Sequence, residues 1–199
     1  MGVESIACKY TKAAANSSKI ALRSALLTAR QTRQVQAHSE AALAARIATL
    51  LAERTPYCVA FYWPFAGEFD ARTTLVNWLH EAPTHCAALP VVTEVGGALR
   101  FHRWTPETPM KEGYFKIPVP AHAVAVHPDL LLIPCVGFDP ARYRLGYGGG
   151  YYDRTLARLK PCPFTAGISY ECGRVTHLLP RESHDIALDL VLTEKARYE

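Results

Sequence analysis

At 199 residues, 49% hydrophobic and 20% charged, the chain fits one globular domain with a sizeable core and excludes a disordered polymer. No apolar run approaches the roughly 18–20 residues that span a bilayer, so no membrane partner is expected. The net charge of +4 sits in residues 1–54, with 8 Lys/Arg against 3 Asp/Glu, while residues 55–199 hold 14 against 15; the basic stripe of a nucleic-acid binder is therefore not expected.

Residues 1–17 hold Lys9, Lys12 and small residues but no continuous apolar segment, and read as a flexible leader ahead of a single domain over residues 18–199. Asn16-Ser17-Ser18 offers cap residues for a first helix, Lys19 to Arg30. A second helix over Gln34 to Arg54 places Leu43, Ile47, Leu50 and Leu51 on one stripe. Cys58 to Tyr62 reads as an apolar strand stopped by Pro64 and Gly67, and Asp70 as a cap for a short helix through Thr74, Leu75, Trp78 and Leu79. Cys86 to Leu89 is the next strand. Val91 to Val95 and Ala98 to Trp104 flank Gly96-Gly97, a two-residue hairpin signal.

The prolines from Thr105 to Pro109 and from Ile117 to Pro120 mark a surface segment. Asp129 to Ile133 is the clearest buried strand, followed by a glycine-rich turn and a helix from about Tyr151 to Leu159. Phe164 to Ser169 and Ala187 to Leu192 complete the strands. Such alternation predicts an α/β fold: one three-layer α/β/α domain, Rossmann-like, with a mainly parallel sheet and a hairpin addition. Six cysteines without C-x-x-C spacing predict free thiols and a reducing cytoplasm. The pairs His80/His85 and His122/His127 lack the context of a zinc motif.

The stretch 131–154, LLIPCVGFDPARYRLGYGGGYYDR, carries the chemistry. Gly146, Gly148, Gly149 and Gly150 lie between a buried strand and an amphipathic helix, where backbone N–H groups can converge on an anion at a helix N-terminus. Gly150 is followed by Tyr151 rather than Lys, so the turn is not a Walker A loop, and it fails the dinucleotide fingerprint G-x-G-x-x-G. Arg142 and Arg144 precede it, able to hold phosphate oxygens. Asp153, in the first turn of the helix, either complements the helix dipole or ligates Mg²⁺ beside a phosphate.

These residues resemble the 5-formyltetrahydrofolate cyclo-ligase (methenyltetrahydrofolate synthetase) family. In it a strand ends with Pro and is followed by Gly-Phe-Asp and a basic-Leu-Gly-x-Gly-x-Gly-Tyr-Tyr-Asp loop. Pro134, Gly137-Phe138-Asp139 and Arg144 to Asp153 match that run. Lys19-x-x-Leu22-Arg23, Tyr62-Trp63-Pro64 with Gly67-Glu68, and Pro180, His184-Asp185 and Asp189 to Thr193 resemble further family segments in the same order, over about residues 19–194. Two departures stand out: Gly173, where the family often has Gln, and Lys116 to Pro120, where it usually reads Gly-Ile-x-Glu-Pro.

The resemblance implies an ATP- and Mg²⁺-dependent enzyme that closes 5-formyltetrahydrofolate to 5,10-methenyltetrahydrofolate through an N5-iminium phosphate. A fold relative that binds nucleotide without this activity is the alternative. Lys19 and Arg23 would meet the ATP phosphates. Arg144, Leu145, Gly146, Tyr147, Gly148, Gly149, Gly150, Tyr151 and Tyr152 would wrap the triphosphate, with Arg144 and Tyr152 at the reacting centre. Tyr147, Gly148, Gly149, Gly150 and Tyr151 would also line the folate side, joined by Trp63 and Glu68. Asp153 and Asp189 would hold Mg²⁺, and Trp104 is assigned to core packing. The expected partners are small molecules alone, with the chain acting as a monomer.

Overall fold

The structure, a computed structural model, describes the backbone of residues 4–33 and 37–199 and the side chains of residues 18–33 and 37–199. In chain order the elements begin with α1 (Glu4–Thr32), α2 (Ala37–Arg54), β1 (Cys58–Ala60), α3 (Arg72–Glu81), β2 (Cys86–Val92) and β3 (Leu99–Trp104). A short ribbon follows, β4 (Met110–Glu112) and β5 (Pro118–Pro120), and then β6 (Leu130–Pro134). The remainder is β7 (Gly137–Phe138), β8 (Arg144–Leu145), α4 (Tyr151–Arg158), β9 (Phe164–Ile168), β10 (Leu190–Leu192) and β11 (Arg197–Tyr198).

Seven strands form one sheet in the order β11-β10-β9-β6-β1-β2-β3. The five inner strands are parallel, and an antiparallel strand closes each edge. Side chains alternate across the sheet. Val59, Leu130, Leu132 and Leu190 meet Leu43, Ile47 and Leu50 of α2 and Leu75 of α3 on one face. Cys58, Ala60, Leu131, Ile133 and Val191 meet Leu156 of α4 on the other. The expected three-layer arrangement and the α2 stripe are both present. Chain order moves outward from β1 in both directions, through β2 on one side and β6 on the other. The crevice beyond their carboxyl ends is therefore the topological switch point, where open α/β sheets bind ligands.

Several boundaries differ from the sequence reading. Helix α1 starts at Glu4, so Asn16 to Ser18 lie inside it rather than capping it; the Ala-rich segment before them favours helix. The expected start of the second helix at Gln34 lies outside the described residues. Strand β2 is continuous through Pro90. Beyond Ala88 its neighbour β1 has ended, and Phe61 N–H makes the last bond to Ala88 C=O at 3.0 Å. The missing proline N–H therefore costs no ladder bond on that side. The β2–β3 hairpin turns at Gly96, with Gly97 N–H donating to Glu94 C=O at 3.0 Å. Asp70 sits one residue before the α3 N-cap and accepts the Arg72 N–H at 3.0 Å. The β4–β5 ribbon, the β7–β8 hairpin and β11 are too short to show in the hydrophobic pattern.

Candidate active site

The glycine-loop region hangs from the end of β6. After Pro134 the chain makes the β7–β8 hairpin, whose turn is organised by the buried Asp139. Asp139 Oδ1 accepts the N–H groups of Ala141 and Tyr143 at 2.9 and 3.0 Å, and Oδ2 accepts the Leu179 N–H and the Arg181 guanidinium, both at 3.0 Å. The aspartate of the Gly-Phe-Asp motif thus builds the loop and is used up doing so. The chain then passes Arg144 and the glycines to the N-terminus of α4. Gly148 and Gly150 have φ of +93° and +64°, a region that side-chain-bearing residues rarely adopt. A Cβ on Gly148 would also lie 3.5 Å from the Arg23 guanidinium.

Helix α1 lies along this loop. Lys19, Arg23, Leu26 and Arg30 recur at helical spacing on one face. Leu26 packs with Val136, Leu145, Val175 and Leu179. Arg23 Nε donates to Gly146 C=O at 2.6 Å, and Arg30 Nη2 donates to the Tyr147 hydroxyl at 2.5 Å. Burial lowers the pKa of Arg23, though an arginine remains charged. Two of the basic residues of the N-terminal segment, Arg23 and Arg30, are therefore bonded to the glycine loop.

A cavity of about 590 Å³ opens over these groups at the switch point, within the usual range for small-molecule sites. One end is ionic. Arg144 Nη2 and Asp153 Oδ2 are 2.9 Å apart, their side chains only 7% and 14% exposed. Lys19 Nζ donates to Asp185 Oδ2 at 3.0 Å. Burial works against ionised Asp185, but the Glu182 N–H and the Lys19 ammonium outweigh it and hold its pKa below the usual value. Glu182 and His184 also line this end. The Tyr152 ring lies 5.7 Å from the Arg144 guanidinium carbon, and burial, then Glu68, raises its pKa, so it stays a phenol.

The other end is aromatic and aliphatic, lined by Trp63, Phe65, Leu89, Phe115 and Ile117 among others. The Arg72 guanidinium, clamped by Asp70, covers the Trp63 ring at 4.5 Å. Phe115 holds φ of +60° in a short 3₁₀ turn and meets Tyr151 edge-on at 6.0 Å. Glu68 sits within this wall. Its Oε1 accepts the Tyr147 hydroxyl at 2.9 Å and its Oε2 the Phe65 N–H at 2.9 Å. Burial raises the Glu68 pKa against those bonds and the nearby Arg30. The site therefore offers cations and helix-start amides at one end, and a carboxylate among aromatic rings at the other.

Lys19, Arg23, Trp63, Glu68, the run Arg144 to Tyr152, and Asp153 all line this cavity. Asp189 does not. It is exposed beside β10, and its Oδ2 accepts the Thr165 N–H and hydroxyl at 2.7 and 2.8 Å. Asp185, four residues earlier, is the carboxylate brought in from that segment. Arg142 also turns away, donating to Leu188 C=O at 3.0 Å. Trp104 is core, buried edge-on to Phe61 at 5.0 Å. Gly173 stands behind the loop, where a Cβ would lie 2.6 Å from Ser169 Oγ and 2.9 Å from Val136 O. That departure thus concerns packing, whereas Ile117, Pro118 and Val119 line the cavity itself. Sequence reasoning missed Arg30, Phe65, Phe115 and Glu182 as site residues. It quoted Asp185 within a motif without giving it a role.

The carboxylates at the ionic end are hard oxygen donors beside Lys19 and Arg144, a donor set that suits Mg²⁺ held by one or two carboxylates. Among the described residues no group of three or more His, Cys, Asp or Glu forms a metal cage. The five cysteines described, Cys58, Cys86, Cys135, Cys162 and Cys172, are free thiols. No described helix is long and apolar enough to cross a membrane.

Comparison with known proteins gives one answer. The 5-formyltetrahydrofolate cyclo-ligase family model matches residues 15–194. The 5-formyltetrahydrofolate cyclo-ligase of Haemophilus influenzae is 34% identical over 169 residues, covering 81% of this chain and 87% of that one. The enzyme of the same name from Escherichia coli K12 is 34% identical over 152 residues, covering 72% and 81%. The solved 5,10-methenyltetrahydrofolate synthetase of Aquifex aeolicus superposes with a TM-score of 0.75 at 29% identity, covering 91% of this chain and 92% of that one. That of Mycoplasma pneumoniae shares the fold, with a TM-score of 0.70 at 24% identity and coverage of 88% and 98%. A family match over residues 15–194, with a relative 34% identical across 81% of the chain, makes this protein a member of the 5-formyltetrahydrofolate cyclo-ligase family of enzymes.

Proposed function

We propose that the protein uses ATP and Mg²⁺ to cyclise 5-formyltetrahydrofolate to 5,10-methenyltetrahydrofolate, releasing ADP and phosphate. The observation that carries this reading is one cavity uniting the Arg144–Gly150 loop with the Glu68 and Trp63 wall. An enzyme that phosphorylates a folate needs both halves within reach of each other.

A formamide carbon is a weak electrophile and its oxygen a poor leaving group. Phosphorylation addresses both. The N5-formyl oxygen attacks the γ-phosphorus and ADP leaves, giving an N5-iminium phosphate. The neighbouring N10 then adds to the formyl carbon, phosphate departs, and the N10 proton is lost as the ring closes. The second step is intramolecular, so positioning is largely built into the substrate. The residues' main work is to align the γ-phosphate and neutralise developing charge.

Arg144 and Lys19 would do this directly, joined by the amides at the start of α4. Arg23 would support the loop through Gly146. Tyr152 would pack beneath Arg144 and fix its guanidinium plane. Asp153 and Asp185 would hold Mg²⁺, which when bound screens charge on the phosphates. Glu68, ionised and held by Tyr147, would accept hydrogen bonds from N–H groups of the pterin, with Trp63 beside the ring.

The test is direct. Purified protein with ATP, Mg²⁺ and 5-formyltetrahydrofolate should generate the near-ultraviolet absorbance of the methenyl product. Tight ATP binding without that product would instead favour the fold relative that lacks the activity, with the altered Lys116 to Pro120 segment as its cause.

A further inference from the structure

Arg30 stands two helical turns beyond Arg23 on the same face of α1. It is only 5% exposed and does not line the cavity. Its Nη2 donates to the Tyr147 hydroxyl at 2.5 Å, while its Nε has no hydrogen-bond partner. A buried guanidinium with an orphan N–H works against stability, so packing does not account for it. A guanidinium has donors only. The Tyr147 hydroxyl must therefore accept from Arg30, which turns its own proton toward Glu68 Oε1 at 2.9 Å. Glu68 also feels Tyr62 after β1, Cys135 after β6 and Tyr152 of α4. Burial raises the pKa of each, and of Tyr147, so all four stay neutral. Arg30 is the cation that offsets the burial of the Glu68 carboxylate.

We propose that Arg30 is a positioning residue for the folate, acting through the Tyr147 hydroxyl to hold Glu68 in one orientation. The inference rests on the cyclo-ligase reading, in which Glu68 meets the pterin, and extends it to a residue behind the cavity wall. Tyr147 takes one lone pair of Oε1 and the Phe65 N–H one of Oε2. Each oxygen keeps a second lone pair for the substrate. Without the guanidinium, the Tyr147 hydroxyl is free to rotate away from Glu68. The carboxylate is then pinned by the Phe65 N–H alone and can turn about its last torsions. Both states of the substrate, before and during reaction, lose the same contact. Binding of the folate should therefore suffer more than its turnover.

The test compares Arg30→Met, Tyr147→Phe and the double variant. Methionine fills the space of the arginine stem without burying a charge, so Arg30→Met should melt within a few degrees of the wild type. Its KM for 5-formyltetrahydrofolate should rise about tenfold, the loss expected for a hydrogen bond to a charged group, with kcat within about twofold. In the Tyr147→Phe background the same substitution should move KM by less than about twofold, because the route through the hydroxyl is already cut. The acid limb of kcat/KM should shift to higher pH in Arg30→Met, since the cation favouring ionised Glu68 is gone. Loss of the fold in Arg30→Met, a fall in kcat with KM unchanged, equal KM changes in both backgrounds, or an unmoved acid limb overturns the proposal. Should the wild type turn over no folate, the cyclo-ligase reading fails. Carboxyl ¹³C NMR then decides separately. The Glu68 signal, identified by its loss in Glu68→Gln, should titrate at higher pH in Arg30→Met, and an unchanged titration overturns the proposal.

Discussion

The Tyr147 hydroxyl donates to Glu68 Oε1 at 2.9 Å while accepting from Arg30 at 2.5 Å, which ties the tip of the glycine loop to the Glu68 carboxylate in the aromatic wall and to helix α1. Tyr147 is 44% exposed, yet its pKa is raised, first by burial of the hydroxyl and then by the Glu68 carboxylate. It therefore remains a donor throughout the working pH range. Tyr147→Phe removes two hydrogen bonds to charged groups, each worth about 1.5–3 kcal/mol. The expected result is a fall of about tenfold or more in kcat/KM for the folate, measured by steady-state kinetics with ATP saturating.

Glu68 supplies a pH dependence of defined sign. Burial raises its pKa, so the ionised form is lost at a higher pH than for an ordinary glutamate. If the carboxylate accepts from the pterin, kcat/KM for the folate should fall as pH drops through that raised value and hold above it. Glu68→Gln should have low activity without this acid limb. A wild-type profile flat down to the ordinary carboxylate range would assign the limb to nothing at Glu68.

Arg144 and Asp153 are a largely buried pair, and removing one partner strands the other's charge. Asp153→Asn should lower the melting temperature by roughly 5–10 °C, from a loss of about 3 kcal/mol. Part of that loss should return with ATP, whose phosphates repair the charge on Arg144. Turnover should fall by about a hundredfold or more.

Asp185→Asn and Asp189→Asn form a matched pair. The first should weaken Mg²⁺-dependent turnover by at least about tenfold, since that carboxylate lines the ionic end. The second should leave kcat within about twofold, because Asp189 serves Thr165 at the border of β10. Mg²⁺ titrations of both variants give the answer. Loss of turnover in Asp189→Asn alone would reverse the assignment.

Gly173→Gln, which restores the residue common in the family, should destabilise this chain. Its Cβ meets Ser169 Oγ and the Val136 carbonyl, an overpacking worth about 1–3 kcal/mol. The melting temperature should drop by several degrees while the folate KM of the folded protein stays unchanged.

Much of this was legible in the sequence because several signals agreed. The α2 stripe, the Gly96-Gly97 hairpin and the glycine loop each combine local propensity with the right neighbours. The misses share a cause. Asp185 and Asp189 lie four residues apart in one motif, and only the placement of β10 decides which faces the cavity. Asn16 to Ser18 carry a capping signal that the longer Ala-rich helix overrides. Phe115 and Lys116 adopt φ of +60° and +58°, a conformation local preference argues against, so an aromatic at the cavity mouth read as an ordinary loop residue.

The arrangement of Lys19, Arg23 and Arg30 along a single face of α1 makes catalysis depend on how firmly that helix is seated. Among the described residues its apolar contact is a cluster of five buried side chains, Leu26 of the helix among them, with Leu22 and Leu27 packed against it. Lifting it away would remove the Gly146, Tyr147 and Asp185 contacts in one motion, without unfolding the sheet. Occupancy by a triphosphate should therefore act as a clasp. Amide protons of residues 18–32 should exchange more slowly once nucleotide is bound, while those of the central strands β1 and β6 barely change.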